Sequence, residues 1–437
     1  MATATPKARP ARRSLGAIAQ ARVHLWQQLV GVVTEYDNGR IGFSYDRDYV
    51  QSGVAISPKF LPLEYPRTFE FRDLRRSESF LGLPGVLADS LPDAFGNLII
   101  RNYFASRGEP GKAMSPVERL LYVGTRAMGA LEYEPHLQTR TGAEERALEV
   151  KALVESARKL VEGATGEAIH EIMRVGGSAG GARAKALVLW DREKKRVRSG
   201  FARPRSGEEA WMVKFDGVGS ANALDGKAKP YNRIEYAYAL LASKVGIAME
   251  AVSFLEEGES FHFMTRRFDR SGQDKLHMHS LGGIEHVDFN QPQAYSYEAW
   301  FRLMLELNLG QPSLDQGYRR MIFNIVGRNQ DDHVKNICFL MKDMQSGWTL
   351  APAYDLTYAA GSNYTRAHQM TVTGRADDFA RDDLVQVGKK FSVRRPERIV
   401  DEIVEAFGEW PKLAKTWGVP TKMIKAVADQ HRLSLGK

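Results

Sequence analysis

Cysteine is almost missing from this 437-residue chain. Cys338 stands alone, which excludes an internal disulfide and fits a reducing, cytoplasmic setting. Long apolar runs are missing too: none approaches the roughly 18 residues that a membrane span needs. The first 14 residues hold no acid, and their basic residues Lys7, Arg9, Arg12 and Arg13 have no apolar stretch behind them. That excludes a signal peptide, and residues 1–28 read as a basic, disordered arm. There is no internal repeat and no low-complexity block. Nor does the chain contain the G-x-x-x-x-G-K-[ST] order of a Walker loop, which excludes that class of NTPase.

What is present looks globular. Hydrophobic residues make up 43% and charged residues 26%, and the length exceeds what one core holds, so two or more subdomains are expected. The net charge of +8 suits nucleic acid, an acidic partner or nucleotide phosphates, and does not choose among them. Asp37-Asn38-Gly39 between the apolar runs Leu29–Thr34 and Ile41–Tyr45 predicts a hairpin. Phe69–Phe71 reads as a strand. Leu81–Ala105 reads as helical with a break at Leu91-Pro92-Asp93, where Ser90 would cap the second piece. Pro116–Tyr122 reads as a helix and Gly129–Tyr133 as a closing strand. Residues 29–137 therefore form a mixed α/β unit. Residues 138–263 begin with a charged amphipathic helix and continue as a second α/β unit, and residues 264–437 are helix-rich. Helices are expected there over Tyr297–Leu309, Leu314–Val326, Pro396–Phe407 and Thr421–Leu435.

Four stretches carry chemistry. Arg174–Lys185 is the most glycine-rich window, and its bare backbone N–H groups could cradle phosphate; a plain tight turn is the alternative. Ser178 at its centre is either a turn hydroxyl or itself a phosphate acceptor. Lys214 lies in the otherwise apolar strand Trp211–Phe215, where a buried ammonium needs a partner; the following helix offers Glu235. The alternative is a solvent-facing lysine on an edge strand. Phe261–Arg270 reads as a strand running into a basic segment, whose Arg267, Asp269 and Arg270 suit either a nucleotide-side linker or structural ion pairs. Finally, Asp331 and Asn336 stand five apart between two apolar runs, with Asp355 following in Pro352–Leu356. That is the spacing at which protein kinases place a hydroxyl-orienting Asp and a magnesium-holding Asn. His277 and His279 stand two apart with no third ligand at a sensible spacing, so they read as strand or turn.

The order of these motifs, with Asp89–Asp93 resembling an L-L-P-[DE] segment, resembles the HipA family of serine/threonine kinases, the toxins of type II toxin–antitoxin modules. The match runs from about residue 29 to 435. The resemblance implies an α+β, bilobal protein-kinase-like fold with a mixed N-terminal subdomain and a helix-rich C-terminal lobe. It implies ATP and Mg²⁺ as cofactors, with Asp331 catalytic and His333 and Lys335 completing the catalytic loop. Asn336 and Asp355 would bind the metal. Ser178, Ala179, Gly180, Gly181, Ala182, Arg183 and Lys185 would form the nucleotide loop, with Ser178 autophosphorylated to switch the kinase off. Lys214, paired with Glu235, would meet the phosphates, and Met264, Arg266 and Phe268 would form the interlobe segment beside adenine. The implied partners are a small helix-turn-helix antitoxin resembling HipB, operator DNA through that complex, and a protein substrate such as an aminoacyl-tRNA synthetase. Two other readings stay open: a catalytically dispensable corepressor bound to the antitoxin, and a small-molecule kinase. Asp332, directly after Asp331, departs from the expected pattern.

Overall fold

The computed structural model describes residues 20–106, 108, 109, 111, 114–136, 147–164, 172, 183–218, 223, 224, 227, 228, 230–361 and 363–436. The Asp37–Gly39 turn forms as its chemistry requires. Gly39 takes φ +70° and its N–H donates to Tyr36 O at 2.7 Å, joining β2 (Gln28–Glu35) to β3 (Ile41–Tyr45). With β1 (Gln20–Leu25), β4 (Thr68–Glu70) and β5 (Leu131–Glu134) they make an antiparallel sheet in the order β4-β3-β2-β1-β5. Ala21, Val23 and Leu25 are buried while Gln20 and Arg22 face out, the period-2 signature of a half-buried strand. The first domain therefore begins at Gln20, inside what the sequence suggested was a basic arm.

Three helices complete this domain: α1 (Gly85–Ala88), α2 (Ala94–Ser106) and α3 (Pro116–Val123). The cap of α2 is Asp93 and not Ser90. Asp93 Oδ1 accepts from Gly96 N at 2.6 Å, whereas Ser90 Oγ accepts from the Tyr133 hydroxyl at 2.7 Å. For α3, Ser115 and Glu118 form a capping box ahead of Pro116.

The second lobe carries β6 (Ala147–Leu148), α4 (Val150–Val161), β7 (Lys185–Asp191), β8 (Arg196–Ser199), β9 (Glu208–Lys214), α5 (Tyr231–Lys244), β10 (Val252–Glu257) and β11 (Ser260–Arg266). Its antiparallel sheet runs β10-β11-β9-β7-β8-β6. The described part of the predicted bridging helix is α4; residues 137–146 and 165–171 lie outside the described set. This lobe's core includes Phe95 and Ile99 of α2, packed with Ala186, Val188, Val213 and Phe215. A boundary at residue 137 thus divides the chain but not the cores.

The third lobe holds β12 (His277–Ser280), α6 (Leu281–Glu285), α7 (Tyr297–Glu306), α8 (Gly310–Val326), β13 (Cys338–Met341) and β14 (Thr349–Leu350). After them come α9 (Arg381–Lys390), α10 (Pro396–Gly408), α11 (Trp410–Thr416) and α12 (Thr421–Ala428). The last helix stops at Ala428, short of the expected Leu435, and His431 and Arg432 turn back toward the end of α8. Arg432 N donates to Val326 O at 3.0 Å, and the Tyr238 hydroxyl reaches both Gly327 O and His431 Nε2. Among the described residues no helix is long and apolar enough to cross a membrane.

Two features lock the first domain onto the others. Helices α1 and α6 approach so closely that a Cβ on Gly85 would lie 2.0 Å from Gly283 O, so only glycine fits. Beside them, buried Asp269 accepts from Arg267 Nε (2.9 Å), from Arg270 Nη1 (2.7 Å) and from Gly129 N of the first domain (2.7 Å). Burial alone would raise its pKa, but the two guanidiniums hold the carboxyl well below the usual range.

Candidate active site

The segment that carries Asp331 and Asn336 begins where α8 ends. Gly327 closes the helix, Arg328 takes φ +56°, and the chain re-enters regular structure through a short turn, Val334–Asn336, leading into β13. Apolar runs on either side are buried, so the polar residues between them are fixed against the core.

The two adjacent acids have opposite surroundings. Asp332 is buried and fully engaged: its Oδ2 accepts from the Tyr297 hydroxyl (2.7 Å) and from His368 Nδ1 (2.8 Å), and its Oδ1 accepts from Gln369 N (2.8 Å). Arg432 Nη1 donates to His368 Nε2 at 3.0 Å, so the ring proton sits on Nδ1, facing Asp332. Asp332 is thus a structural residue that pins this segment to α7 and to the chain following Asp355. Asp331 looks the other way. Its buried Oδ1 has no hydrogen-bond donor and lies 3.6 Å from His333 Nε2. Burial, then the carboxylates of Asp355 and Asp332, push its pKa up to about 7 against the pull of Lys214. His333 is driven down to about 4, first by burial, and so stays a neutral ring.

Lys214, at the end of β9, meets Glu235, the partner the following helix offered, and also Asp355, which the resemblance assigned to the metal. Its Nζ donates to Glu235 Oε1 on α5 at 2.5 Å and also to Asp355 Oδ1. Burial works against the ammonium, yet Asp355 and Glu235 raise its pKa. Asp355, which burial alone would raise, is pulled down by Lys214 and next by Lys185. Asp355 stands at φ +53°, a conformation costly for a side-chain-bearing residue and therefore held by its surroundings. Arg183 adds a second cation to Glu235, with Nη1 at 3.1 Å from Oε2, and also bonds Asn232. Asn232 in turn donates to Lys214 O and Phe261 O, stitching α5 to two strands. Nothing local in the sequence marked Asn232 for that role.

Asp355, Asn336, His333 and Lys335 line one cleft. Arg266 and Phe268 line it too, with Arg266 also paired to Glu250 (2.8 Å) and Glu209 (3.2 Å). Met264, expected in the interlobe segment, offers the cleft no side chain. Its side chain is fully buried in the lobe core, because the alternation of β11 turns it away, and Thr265 and Met212 line the cleft instead. Arg267 lines the cleft as well, while its guanidinium and that of Arg270 pair with Asp269 at the domain junction. Lys185 lies in the sheet and pairs with Asp93 (3.0 Å) of the first domain. Ser178, Ala179, Gly180, Gly181 and Ala182 lie outside the described residues. The first domain also contributes Asp89, Leu91 and Met128 to the cleft wall, which sequence reading missed because their partners are remote in the chain.

For a divalent cation the donor chemistry fits. Asp355 and Asn336 offer hard oxygens on the cleft wall, Asn336 Nδ2 is used by Asp331 O (2.8 Å), and Asp331 Oδ1 lacks a donor. Mg²⁺ characteristically takes few protein ligands and shares the rest with phosphate and water. Among the described residues no group of three or more His, Cys, Asp or Glu is placed to hold a metal. His277 and His279 instead bond Ile56 O (2.8 Å) and Asp89 (2.7 Å) at the domain junction.

Comparison with known proteins agrees with this layout. A family model described as the HipA N-terminal domain matches residues 21–134, and one described as the HipA-like C-terminal domain matches residues 177–411, more than half of the chain. Among solved structures, HipA of Shewanella oneidensis, determined with HipB and its operator DNA, aligns over 95% of this chain and 96% of that one. Its TM-score is 0.66 at 16% identity. The Helicobacter pylori proinflammatory kinase CtkA aligns over 52% of this chain and 89% of that one, at 10% identity and a TM-score of 0.34. A search of curated proteins found no match. The three-part α+β architecture is the bilobal kinase-like fold of the HipA type, and this chain belongs to the HipA family.

Proposed function

We propose that this chain is an ATP- and Mg²⁺-dependent protein serine/threonine kinase, acting in the cytoplasm as the toxin of a type II toxin–antitoxin pair. One observation carries the reading. Lys214 is shared between Glu235 and Asp355, while Asp331 beside them keeps a buried oxygen without a donor. A buried carboxylate left short of partners is expensive unless the site uses it. Asp331 would accept the proton-bearing side of a substrate hydroxyl and aim its oxygen at the γ-phosphate. Lys214 would leave Asp355 to meet the nucleotide phosphates while Glu235 keeps it in place. Mg²⁺, held by Asp355 and Asn336, would supply charge neutralisation on the phosphates. His333 and Lys335 shape the cleft floor, the latter with its ammonium 5.3 Å from the Phe289 ring. Autophosphorylation of Ser178 would put a dianion into the glycine-rich window and end the activity.

The S. oneidensis relative was solved with HipB and operator DNA. By that likeness, a small DNA-binding antitoxin is the proposed partner here, with operator DNA bound through the complex. A translation component such as an aminoacyl-tRNA synthetase is the proposed substrate. The complete Lys214, Glu235, Asp331, Asn336 and Asp355 set favours catalysis over a purely corepressor role. Incubation with labelled ATP and Mg²⁺ tests the reading: wild type takes up label, with Ser178 among the sites found by mass spectrometry, and Asp331→Gln takes up none. Label on the Gln variant would refute the assignment, and an unmodified Ser178 beside other filled sites would refute the switch.

A further inference from the structure

We infer that Asp93, a residue of the N-terminal domain, is a positioning residue of the nucleotide site: it holds the Lys185 ammonium in place beside Lys214. This rests on the kinase reading. Lys185 on β7 and Lys214 on β9 are register partners on adjacent antiparallel strands, so their side chains stand on the same face. Both are buried, at 2% and 6% exposure. Two like charges directly opposite each other repel, and burial leaves no water to screen them. Each ammonium therefore needs its own anion. Lys214 has Glu235 and Asp355. Lys185 has Asp93, 3.0 Å away, with both side chains at most 4% exposed.

The placement of Asp93 is itself fixed. One oxygen caps α2 by accepting from Gly96 N, which leaves the other for Lys185. The residues around it alternate in destination. Asp89 binds His279 (2.7 Å) and Ser280 (2.6 Å) of the C-terminal lobe. Leu91 lines the cleft. Asp93 reaches the second lobe, and Phe95 and Ile99 continue into its core. Residues 89–99 thus strap the two lobes together across the cleft, in addition to the covalent link after β11. A lysine at the phosphate side of the site is oriented from the first domain through this strap.

The test uses the full-length protein, Mg-ATP calorimetry, labelled autophosphorylation and thermal melts. Asp93→Asn keeps the helix cap and removes the charge. It should raise the Mg-ATP Kd by about tenfold or more, and the same change made on a Lys185→Met background should leave Kd within about twofold of Lys185→Met alone. An ion pair that only stabilised the fold would lower the melting temperature of Asp93→Asn and leave Kd unchanged, which overturns the inference. Should Asp93→Asn not fold, Asp93→Glu keeps the charge and shifts the carboxylate by one methylene; a Kd equal to wild type there overturns it too. Wild-type protein that binds no Mg-ATP removes the kinase reading and this inference with it. Wild-type binding matched by Asp93→Asn removes this inference alone.

Discussion

Two buried charge clusters in this molecule are built from the same residue types and behave oppositely. At the domain junction, Asp269 is fully buried, and its oxygens are filled by Arg267, Arg270 and Gly129. Near the cleft residue Asp355, Asp331 has a buried oxygen with no donor, and one lysine serves two carboxylates. The first cluster has both carboxylate oxygens engaged and holds domains together. The second is left short, and its acid is pushed toward neutrality. Satisfaction separates structure from chemistry more reliably than residue type or burial does. Asp331 and Asp332 make the same contrast across a single peptide bond.

The comparison breaks most sharply at the cleft. Asp331→Asn should cut phosphotransfer on the order of a thousandfold or more, while the melting temperature holds or rises, since no engaged carboxylate is lost. Labelled-ATP uptake and calorimetric melting check both halves. Asp269→Asn should do the reverse by stranding two buried guanidiniums. It should cost about 3–5 kcal/mol in denaturant unfolding, because one partner of a buried pair is removed and the others are left uncompensated. A smaller loss, about 1–3 kcal/mol, is expected for Asp332→Asn, which keeps an acceptor for Gln369 N but cannot serve Tyr297 and His368 equally. Its loss should read out in urea unfolding, and any fall in phosphotransfer should be far smaller than for Asp331→Asn.

A pH series sharpens the contrast further. His262, His277 and His431 are each lowered to about 4, with burial the first cause. Their folded values lie below the unfolded value near 6.5, so the unfolded chain binds the extra protons. The stability they support is complete above about pH 6.5 and is lost as pH falls toward 4. The junction carboxylate Asp269, held well below its ordinary value, gives up its contribution only under stronger acid. Melting temperature should therefore fall between pH 6.5 and 4, and His277→Asn should flatten that slope.

Much of the cleft was legible because its signals are local. The lone lysine in an apolar strand needed a partner, and the next helix supplied Glu235. The Asn-Gly hairpin was as local a signal for the first sheet. What stayed hidden depends on distant pairings: Asp89 with His279 and Ser280, Asp93 with Lys185, Asp269 with Gly129. No window of sequence contains both partners. Asp332 was opaque for the same reason, since Tyr297, His368 and Gln369 come from both sides of it along the chain. The strand at Gln20 was missed because a basic, alanine-rich stretch precedes it. That the Met264 side chain faces the core while Thr265 faces the cleft depends on the phase of the strand's alternation, which the sequence left open.

The return of the chain to the Asp331 segment has a consequence for synthesis. Arg432 donates to Val326 O and to Ile325 O and braces His368, which in turn holds Asp332. Asp331 is made about a hundred residues before that brace exists. At ordinary translation rates of 5–20 residues per second, the gap is on the order of ten seconds. During that interval a nascent chain carries Asp331 and Asn336 but not the Arg432 brace that, through His368, holds Asp332. As the kinase proposed above, such a chain would lack the brace behind Asp332 on the ribosome until the segment around Arg432 has been made.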